Sequence, residues 1–239
     1  TSNVVVGNTA GDSLQSGGVN NVLIGNAAGT SITTGDNNTA VGLNSLTTNT
    51  TGGQNVAVGD NALAANTTAT YNTALGTSTL QLNTTGTRNV ATGAFSLTAN
   101  TTGDGNVAMG YQALKSNTTA DNNTAIGDQA LEFNTTGASN TALGSGALDA
   151  NTTASNNTAV GFSALSANTT GTNNVALGSS ALLVNTTGSY NAAVGMVALD
   201  ANIDGDANTA LGYGALSDNT TADNNTAVGY FALLRNTTG

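Results

Sequence analysis

The chain has 239 residues and a formal net charge of −10, and its only basic residues are Arg88, Lys115 and Arg235. Nucleic acids and anionic membranes bind clusters of Lys and Arg, so this composition argues against both partners. With no Cys, the chain has no disulfide and no thiolate metal site, and no apolar run approaches the ~18 residues of a membrane-spanning helix.

A five-residue phrase that ends in glycine recurs along the whole chain. Its closing glycines are Gly7, Gly25, Gly42, Gly59, Gly76, Gly93, Gly110, Gly127, Gly144, Gly161, Gly178, Gly195, Gly212 and Gly229. The first step is one residue longer than the others, which are all equal and define a 17-residue period. Self-similarity at a fixed period is the signature of a repeat architecture, in which each copy contacts its neighbours in sequence. We therefore expect one elongated array rather than two globular domains.

Residues 1–35 contain the irregular copies. Here the phrase is followed by Asn-Thr-Ala-Gly (8–11) or Asn-Ala-Ala-Gly (26–29) instead of the later pattern. Terminal repeats are commonly atypical, so we interpret residues 1–35 as a divergent N-terminal cap or as the junction with another repeat type. Residues 36–239 form the regular array. The chain begins with Thr1 rather than Met and stops within a copy, so we expect it to be a length of a longer protein.

The copy that starts at Asn157 shows the pattern within a repeat. From Asn157 to Gly161, small residues alternate with Thr and Val, which is the period of a β-strand. The segment from Leu165 to Thr170 is predicted to form a second strand that leads into a turn. A helix is the alternative for the segment from Gly161 to Leu165, which would be too short to stand alone. The positions that define the repeat are Asn157, Ala159, Val160, Gly161, Leu165, Asn168, Thr170 and Gly171.

These features predict an all-β fold, a parallel β-solenoid or β-roll in which each 17-residue copy makes one coil. Successive coils would stack in register with parallel strands ~4.8 Å apart, and the absence of proline suits such a ladder. Stacked asparagines would satisfy one another's amides along the axis. The same register predicts two ion pairs between neighbouring coils, Lys115 with Glu132 and Asp218 with Arg235.

A coil this short has little room inside, which bears on oligomeric state. Alanine and glycine fill one face of the strand, so the side chains at the positions of Thr158 and Val160 should point outward. A dozen coils then present a long apolar stripe, and such a stripe on a soluble protein indicates an interface. We therefore expect the coils to be intertwined or packed as a homotrimer.

The phrase from Asn140 to Gly144, continued by Ala147-Leu148 and Asn151 to Thr153, resembles repeats of phage-type tail-fibre and surface-fibre proteins. Those repeats often precede a C-terminal self-cleaving chaperone that trimerises the fibre. The first half of the phrase is also similar to the head repeats of trimeric autotransporter adhesins, which form a trimeric left-handed parallel β-roll. The repeat here is longer than in those heads, and no chaperone, stalk or anchor is recognised in this sequence. The resemblance, which covers residues 36–239, implies a trimeric fibre concerned with adhesion or reach.

Catalysis and cofactor binding are not expected. The chain has no His and no Cys, and Glu132 is its only glutamate, so acid–base and nucleophilic chemistry lack their usual groups. Asp104 and Asp121 occupy one position in adjacent coils, as do Asp206 and Asp223. Such pairs are able to hold Ca²⁺ with loop carbonyls. We prefer to interpret them as exposed turn aspartates, since no calcium-loop spacing accompanies them.

Aromatic residues share the position after the closing glycine at Tyr111, Phe162, Tyr213 and Tyr230. Exposed rings there would suit sugars on a host surface, but packing within the fibre is the interpretation that we prefer, because stacked aromatic pairs stabilise neighbouring strands.

The Asn-Thr-Thr triplets raise two further possibilities. Regular threonine files suggest ice binding, although adjacent threonines of a strand face opposite sides and valine interrupts the file of Thr158. The same triplets are glycosylation sequons, but asparagines in a stacked ladder are expected to be structural.

The leading hypothesis is a structural repeat shaft of a trimeric extracellular or virion fibre with an attachment role, for which a cell-surface glycan or receptor would be the partner. A self-assembling extracellular filament subunit is the alternative, and an ice- or carbohydrate-binding solenoid is the second alternative. We expect no enzyme activity, no nucleic-acid partner and no membrane insertion.

Overall fold

A computed structural model describes residues 2–237 of the chain, and these residues contain strands and turns but no helix. The 14 strands have three residues each. They are β1 (Val4–Val6), β2 (Val22–Ile24), β3 (Thr39–Val41), β4 (Val56–Val58), β5 (Thr73–Leu75), β6 (Val90–Thr92), β7 (Val107–Met109), β8 (Thr124–Ile126), β9 (Thr141–Leu143), β10 (Thr158–Val160), β11 (Val175–Leu177), β12 (Ala192–Val194), β13 (Thr209–Leu211) and β14 (Thr226–Val228). Residues 2–237 contain no helix that is long and apolar enough to cross a bilayer.

The strands pair in parallel with the equivalent strand one coil away. Ala159 in β10 lies opposite Ala142 in β9 on one side and opposite Ala176 in β11 on the other. The irregular copies follow the same rule, since Val22 in β2 lies opposite Thr39 in β3. The predicted fold is confirmed as an all-β parallel β-solenoid with one coil for each copy of the repeat.

The solenoid divides into two compact units, Thr1–Asp121 and Asn122–Gly239. The first unit contains β1 to β7 and the second contains β8 to β14. Within each unit the strands pair in the order of the sequence. Each unit is therefore a stack of coils.

The predicted second strand from Leu165 to Thr170 is wrong. The chain turns instead, with a hydrogen bond of 3.3 Å from the Ala164 N–H to the Gly161 carbonyl. Ser163 at the third position of that turn has φ +50°, as a type II turn requires, and Leu165 has φ +54°. These left-handed residues bend the chain sharply, so each coil closes without a second strand.

The turning segment still hydrogen-bonds to the neighbouring coil. The Leu165 N–H donates to the Ala181 carbonyl at 2.9 Å, and the Ala167 N–H donates to the Leu183 carbonyl at 3.1 Å. Backbone groups in this part of the coil are thus paired as they would be in a sheet, although the φ angles are not those of strands.

Leucine columns supply the largest side chains of the core. Leu148, Leu165 and Leu182 stack in consecutive coils and are fully buried. Burying a leucine is worth about 1.5–3 kcal/mol, whereas left-handed backbone costs a residue with a β-carbon about 1–2 kcal/mol. Burial is thus of a size to offset the backbone strain at each leucine, and a left-handed leucine recurs in every regular coil.

Candidate functional site

Two asparagine columns run through the interior of the coils and meet at one carbonyl. The Asn157 side-chain amide donates to the Gly171 carbonyl at 2.9 Å, and the Asn168 amide donates to the same oxygen at 2.9 Å. Asn168 also donates to Asn151 Oδ1 of the preceding coil at 3.0 Å. Asn157 and Asn168 are fully buried. No buried side-chain nitrogen or oxygen of the described residues lacks a hydrogen-bond partner.

The predicted repeat positions divide between this interior and the surface. The inward ones have buried side chains, or in the case of Gly171 a buried backbone: Asn157, Ala159, Leu165, Asn168 and Gly171. Thr170 is exposed, while Val160 and Gly161 are half-buried. The inward positions build the coil, so the outward ones are the candidates for a function.

The outward strand face carries a file of apolar side chains along each unit. We define it as the first and third residues of β3 to β14, which flank the buried alanine of each strand. Leu143 and Leu177 are 44% and 41% exposed. None of the described strands contains a charged residue. The first position of the face holds Thr, Val or Ala, and the third position is apolar in every regular coil except at Thr92. Because no charge interrupts this apolar file, the face has the composition of an interface rather than of a solvated surface.

The charged residues lie on the turns. Asp104 and Asp121 do stack, but the carboxylates are occupied by the backbone of the preceding coil. Asp121 Oδ1 accepts the Asp104 N–H at 2.7 Å, and Asp104 Oδ1 accepts the Thr87 N–H at 2.6 Å. Asp206 accepts the Ser189 N–H in the same way. These aspartates continue the backbone ladder across the turn, as short polar side chains do at turns.

A metal site finds no support in the described part of the chain. No group of three or more His, Cys, Asp or Glu side chains there lies close enough to hold an ion.

Ion pairs between coils differ from those predicted. Among residues 2–237 no ion pair joins Asp218 to Arg235, and both side chains are exposed to water, where pairing is worth only about 0–1 kcal/mol. Arg88 instead lies 3.5 Å from Asp104. Lys115 and Glu132 belong to different units, so their pairing stays a prediction.

The Asn-Thr-Thr triplets form a bend between two buried residues, Asn168 and Gly171. Both threonines therefore lie on the outside, contrary to the strand geometry that the sequence predicted. The hydroxyl of Thr169 is already used, because it donates to the Thr186 carbonyl of the next coil at 3.0 Å. Of the two threonines, Thr170 is the exposed one. Ice binding stays a prediction that thermal hysteresis tests. The sequon asparagine Asn168 is buried, which hides its amide from glycosylation once the chain has folded.

All nine aromatic side chains are exposed, and none belongs to the core. Tyr213 and Tyr230 stack as the sequence predicted, with ring centroids 5.5 Å apart, and Phe231 packs edge-on against both. Phe95 and Tyr111 form a second, perpendicular pair at 6.1 Å. Sequence reasoning missed Phe95 and Phe231, which lie one position further along the coil than the aromatic residues that it compared.

One carboxyl group has a shifted pKa. Burial raises the pKa of Asp149 above its ordinary value, hydrogen bonds from the backbone N–H groups of Ala150 and of Asp149 itself oppose this rise, and the negative charge of Glu132 adds to it. Glu132 is buried and accepts a hydrogen bond of 3.0 Å from Gln129.

We expect Asp149→Asn to stabilise the protein at pH 7 by less than about 1 kcal/mol. A raised pKa in the folded state means that the folded protein binds the proton more tightly than the unfolded chain, so this group favours folding at acid pH and loses that contribution as pH rises. The gain of the variant over the wild type should therefore shrink between pH 7 and pH 4. Urea unfolding at both pH values measures this difference, and a gain independent of pH would contradict the cause given.

Comparison with protein-family models finds no family that matches this chain. A search of curated proteins finds no match either. The argument for function therefore rests on the repeat pattern and on the geometry described above.

Proposed function

We propose that this chain is a structural repeat shaft of a homotrimeric fibre at a cell or virion surface, with a role in adhesion. The observation that carries the proposal is the outward strand face, which holds no charge and whose third position is Val, Leu, Ile or Met in every regular coil except at Thr92, while every Asp, Glu, Lys and Arg lies elsewhere. A surface of this kind is stabilised when it is removed from water.

A second copy of the chain is the partner that matches this face best. The apolar side chains of the face recur once per coil, at the ~4.8 Å spacing of paired strands. Only a partner with the same repeat can place an equivalent side chain against each of these side chains over many coils. Homo-oligomers with rotational symmetry bring one face of every subunit towards a common axis. Such an arrangement would leave the polar turns in water.

The trimeric state and the fibre role are supported by the resemblance to tail-fibre and adhesin repeats. The alternative is a subunit of an extracellular filament that grows by adding chains end to end. The shaft associates through the outward strand face, whereas the alternative joins chains end to end, so only the alternative predicts open-ended length in electron micrographs.

We expect wild-type protein to have the mass of three chains, each of 23.2 kDa, in light scattering. The variant with Leu143→Asp and Leu177→Asp should fall to the mass of one chain, because two charges per subunit would be buried in the shared face. Both side chains point outward in the single chain, so the coils themselves should remain folded by circular dichroism.

The matched control is Ser145→Asp with Ser179→Asp, two positions further along the same coils. Asp60 and Asp128 already occupy this position in other coils, so the control should keep the mass of the wild type. A monodisperse single-chain mass for the wild type would overturn the shaft, and filaments of unlimited length would favour the alternative.

A further inference from the structure

The nine aromatic side chains have no part in the core of this protein. An aromatic ring buries 150–250 Å² when it is packed inside, which makes it a strong contributor to folding. Here leucine, alanine and asparagine fill the interior, and every Tyr and Phe is exposed. Five of the nine are gathered into two clusters, Phe95 with Tyr111 in the first unit, and Tyr213, Tyr230 and Phe231 in the second.

We propose that these two aromatic clusters are binding sites for an uncharged polysaccharide chain. This inference goes beyond the shaft role and does not depend on it, since a monomeric solenoid would present the same rings. The clusters occupy the corner that follows the closing glycine, next to the outward strand face but separate from it.

The corner differs from the strand face in how freely its residues vary. The third strand position is Val, Leu, Ile or Met in every regular coil but one, whereas the corner position holds Asp60 and Asp128 as well as serine, threonine and alanine. Carboxylates are depleted from the cores of protein interfaces. The corner is therefore a water-exposed edge on which rings stand at particular coils, rather than part of a contact shared between copies.

The chemistry of the clusters selects a neutral ligand with apolar faces. Neither cluster contains a charged side chain, so neither attracts an anion as Lys or Arg would. The faces of aromatic rings are apolar and carry a partial negative charge, which suits the C–H groups on one face of a sugar ring. The phenol groups of Tyr111 and Tyr213 can exchange hydrogen bonds with sugar hydroxyls.

The shape of the surface selects an extended ligand rather than a small enclosed one. The described residues enclose no cavity, whereas small molecules are normally bound in clefts. Centroids of neighbouring rings are 5.5 Å apart in one cluster and 6.1 Å in the other. The rings of Tyr213 and Tyr230 are stacked and those of Phe95 and Tyr111 are perpendicular, so each cluster presents a sugar with the outer faces and edges of its rings.

Affinity electrophoresis tests the proposal, because the net charge of −10 moves the protein through a native gel regardless of a neutral additive. The probes are hydroxyethylcellulose, galactomannan and dextran, each cast separately into the gel. We expect at least one of them to retard the wild type, and Tyr111→Ser with Tyr213→Ser to lose at least half of that retardation. Serine stands at the same corner position in Ser145 and Ser179, so the double variant should fold normally.

The control variant is Phe162→Ser, which removes a corner ring that belongs to neither cluster and is 63% exposed. It should keep the retardation of the wild type. No retardation in any of the three gels, or equal loss in the control, would overturn the proposal. A fall in oligomer mass in the double variant would also overturn it, since the rings would then be contacts between copies.

Discussion

Replacing Gly161 by alanine is expected to lower the free energy of unfolding by more than about 3 kcal/mol. Gly161 has φ +137°, a region that residues with a β-carbon almost never adopt and that costs about 1–3 kcal/mol when they do. A β-carbon there would lie 2.5 Å from the Gly178 carbonyl oxygen and 2.6 Å from its carbon. Both atoms belong to the backbone of the next coil, so relief requires the coils to separate, and strand pairing is lost with them.

Urea unfolding followed by circular dichroism measures this loss, and the chain offers a matched control. Gly146 also has positive φ, at +64°, but a β-carbon there meets only Ser163 Oγ at 3.6 Å, an ordinary contact. Other coils carry serine or asparagine at this position. Gly146→Ala should therefore cost no more than about 1–2 kcal/mol. Equal losses in the two variants would show that backbone angle alone, and not the distance between coils, decides the effect.

The strand half of each repeat was predictable from sequence because its pattern has a simple physical cause. Side chains that alternate with period 2 along a stacked strand can bury only one of its two faces. The alanine at the position of Ala159 identified the buried face. The outward direction of the Val160 file and the asparagine ladder followed from the same register. Tyr213 and Tyr230 stack for that reason too, being equivalent residues of adjacent coils.

The other half of the repeat was not predictable in the same way. Leu165 in a left-handed conformation contradicts local preference, and no propensity argument would choose it for a buried leucine. Its conformation is imposed by closure of the coil and by burial in the leucine column, which are tertiary effects. The prediction of an ion pair between Asp218 and Arg235 was wrong for the opposite reason. The attraction between solvated charges is too weak to hold two exposed side chains in one geometry.

The ladder of Asn168 leads to the second large expected effect. Its amide donates to Asn151 Oδ1 and to the Gly171 carbonyl, and its own Oδ1 accepts from the Asn185 amide at 3.1 Å. Asn168→Asp keeps the shape and the acceptor but removes both donations. At neutral pH it also places a carboxylate in the interior. Asn151 Oδ1 loses its donor, whereas the Gly171 carbonyl keeps the donation from Asn157. A buried acceptor that loses its donor costs about 1–3 kcal/mol, and the buried carboxylate adds to that cost. We expect a loss of at least about 3 kcal/mol at pH 7.

Acidification should return part of this stability, because a protonated carboxyl group can donate again. Burial disfavours the charged form, so the pKa of the introduced group should rise in the folded state, and folding is then favoured as pH falls through that raised pKa. Each unit of the rise corresponds to about 1.4 kcal/mol. The same substitution at the exposed Asn173, whose left-handed backbone suits aspartate equally well, should change stability by less than about 0.5 kcal/mol at either pH. If Asn168→Asp were as mild as Asn173→Asp, the ladder would be a by-product of stacking; a large, acid-reversible loss would show that the amide column holds the coils together.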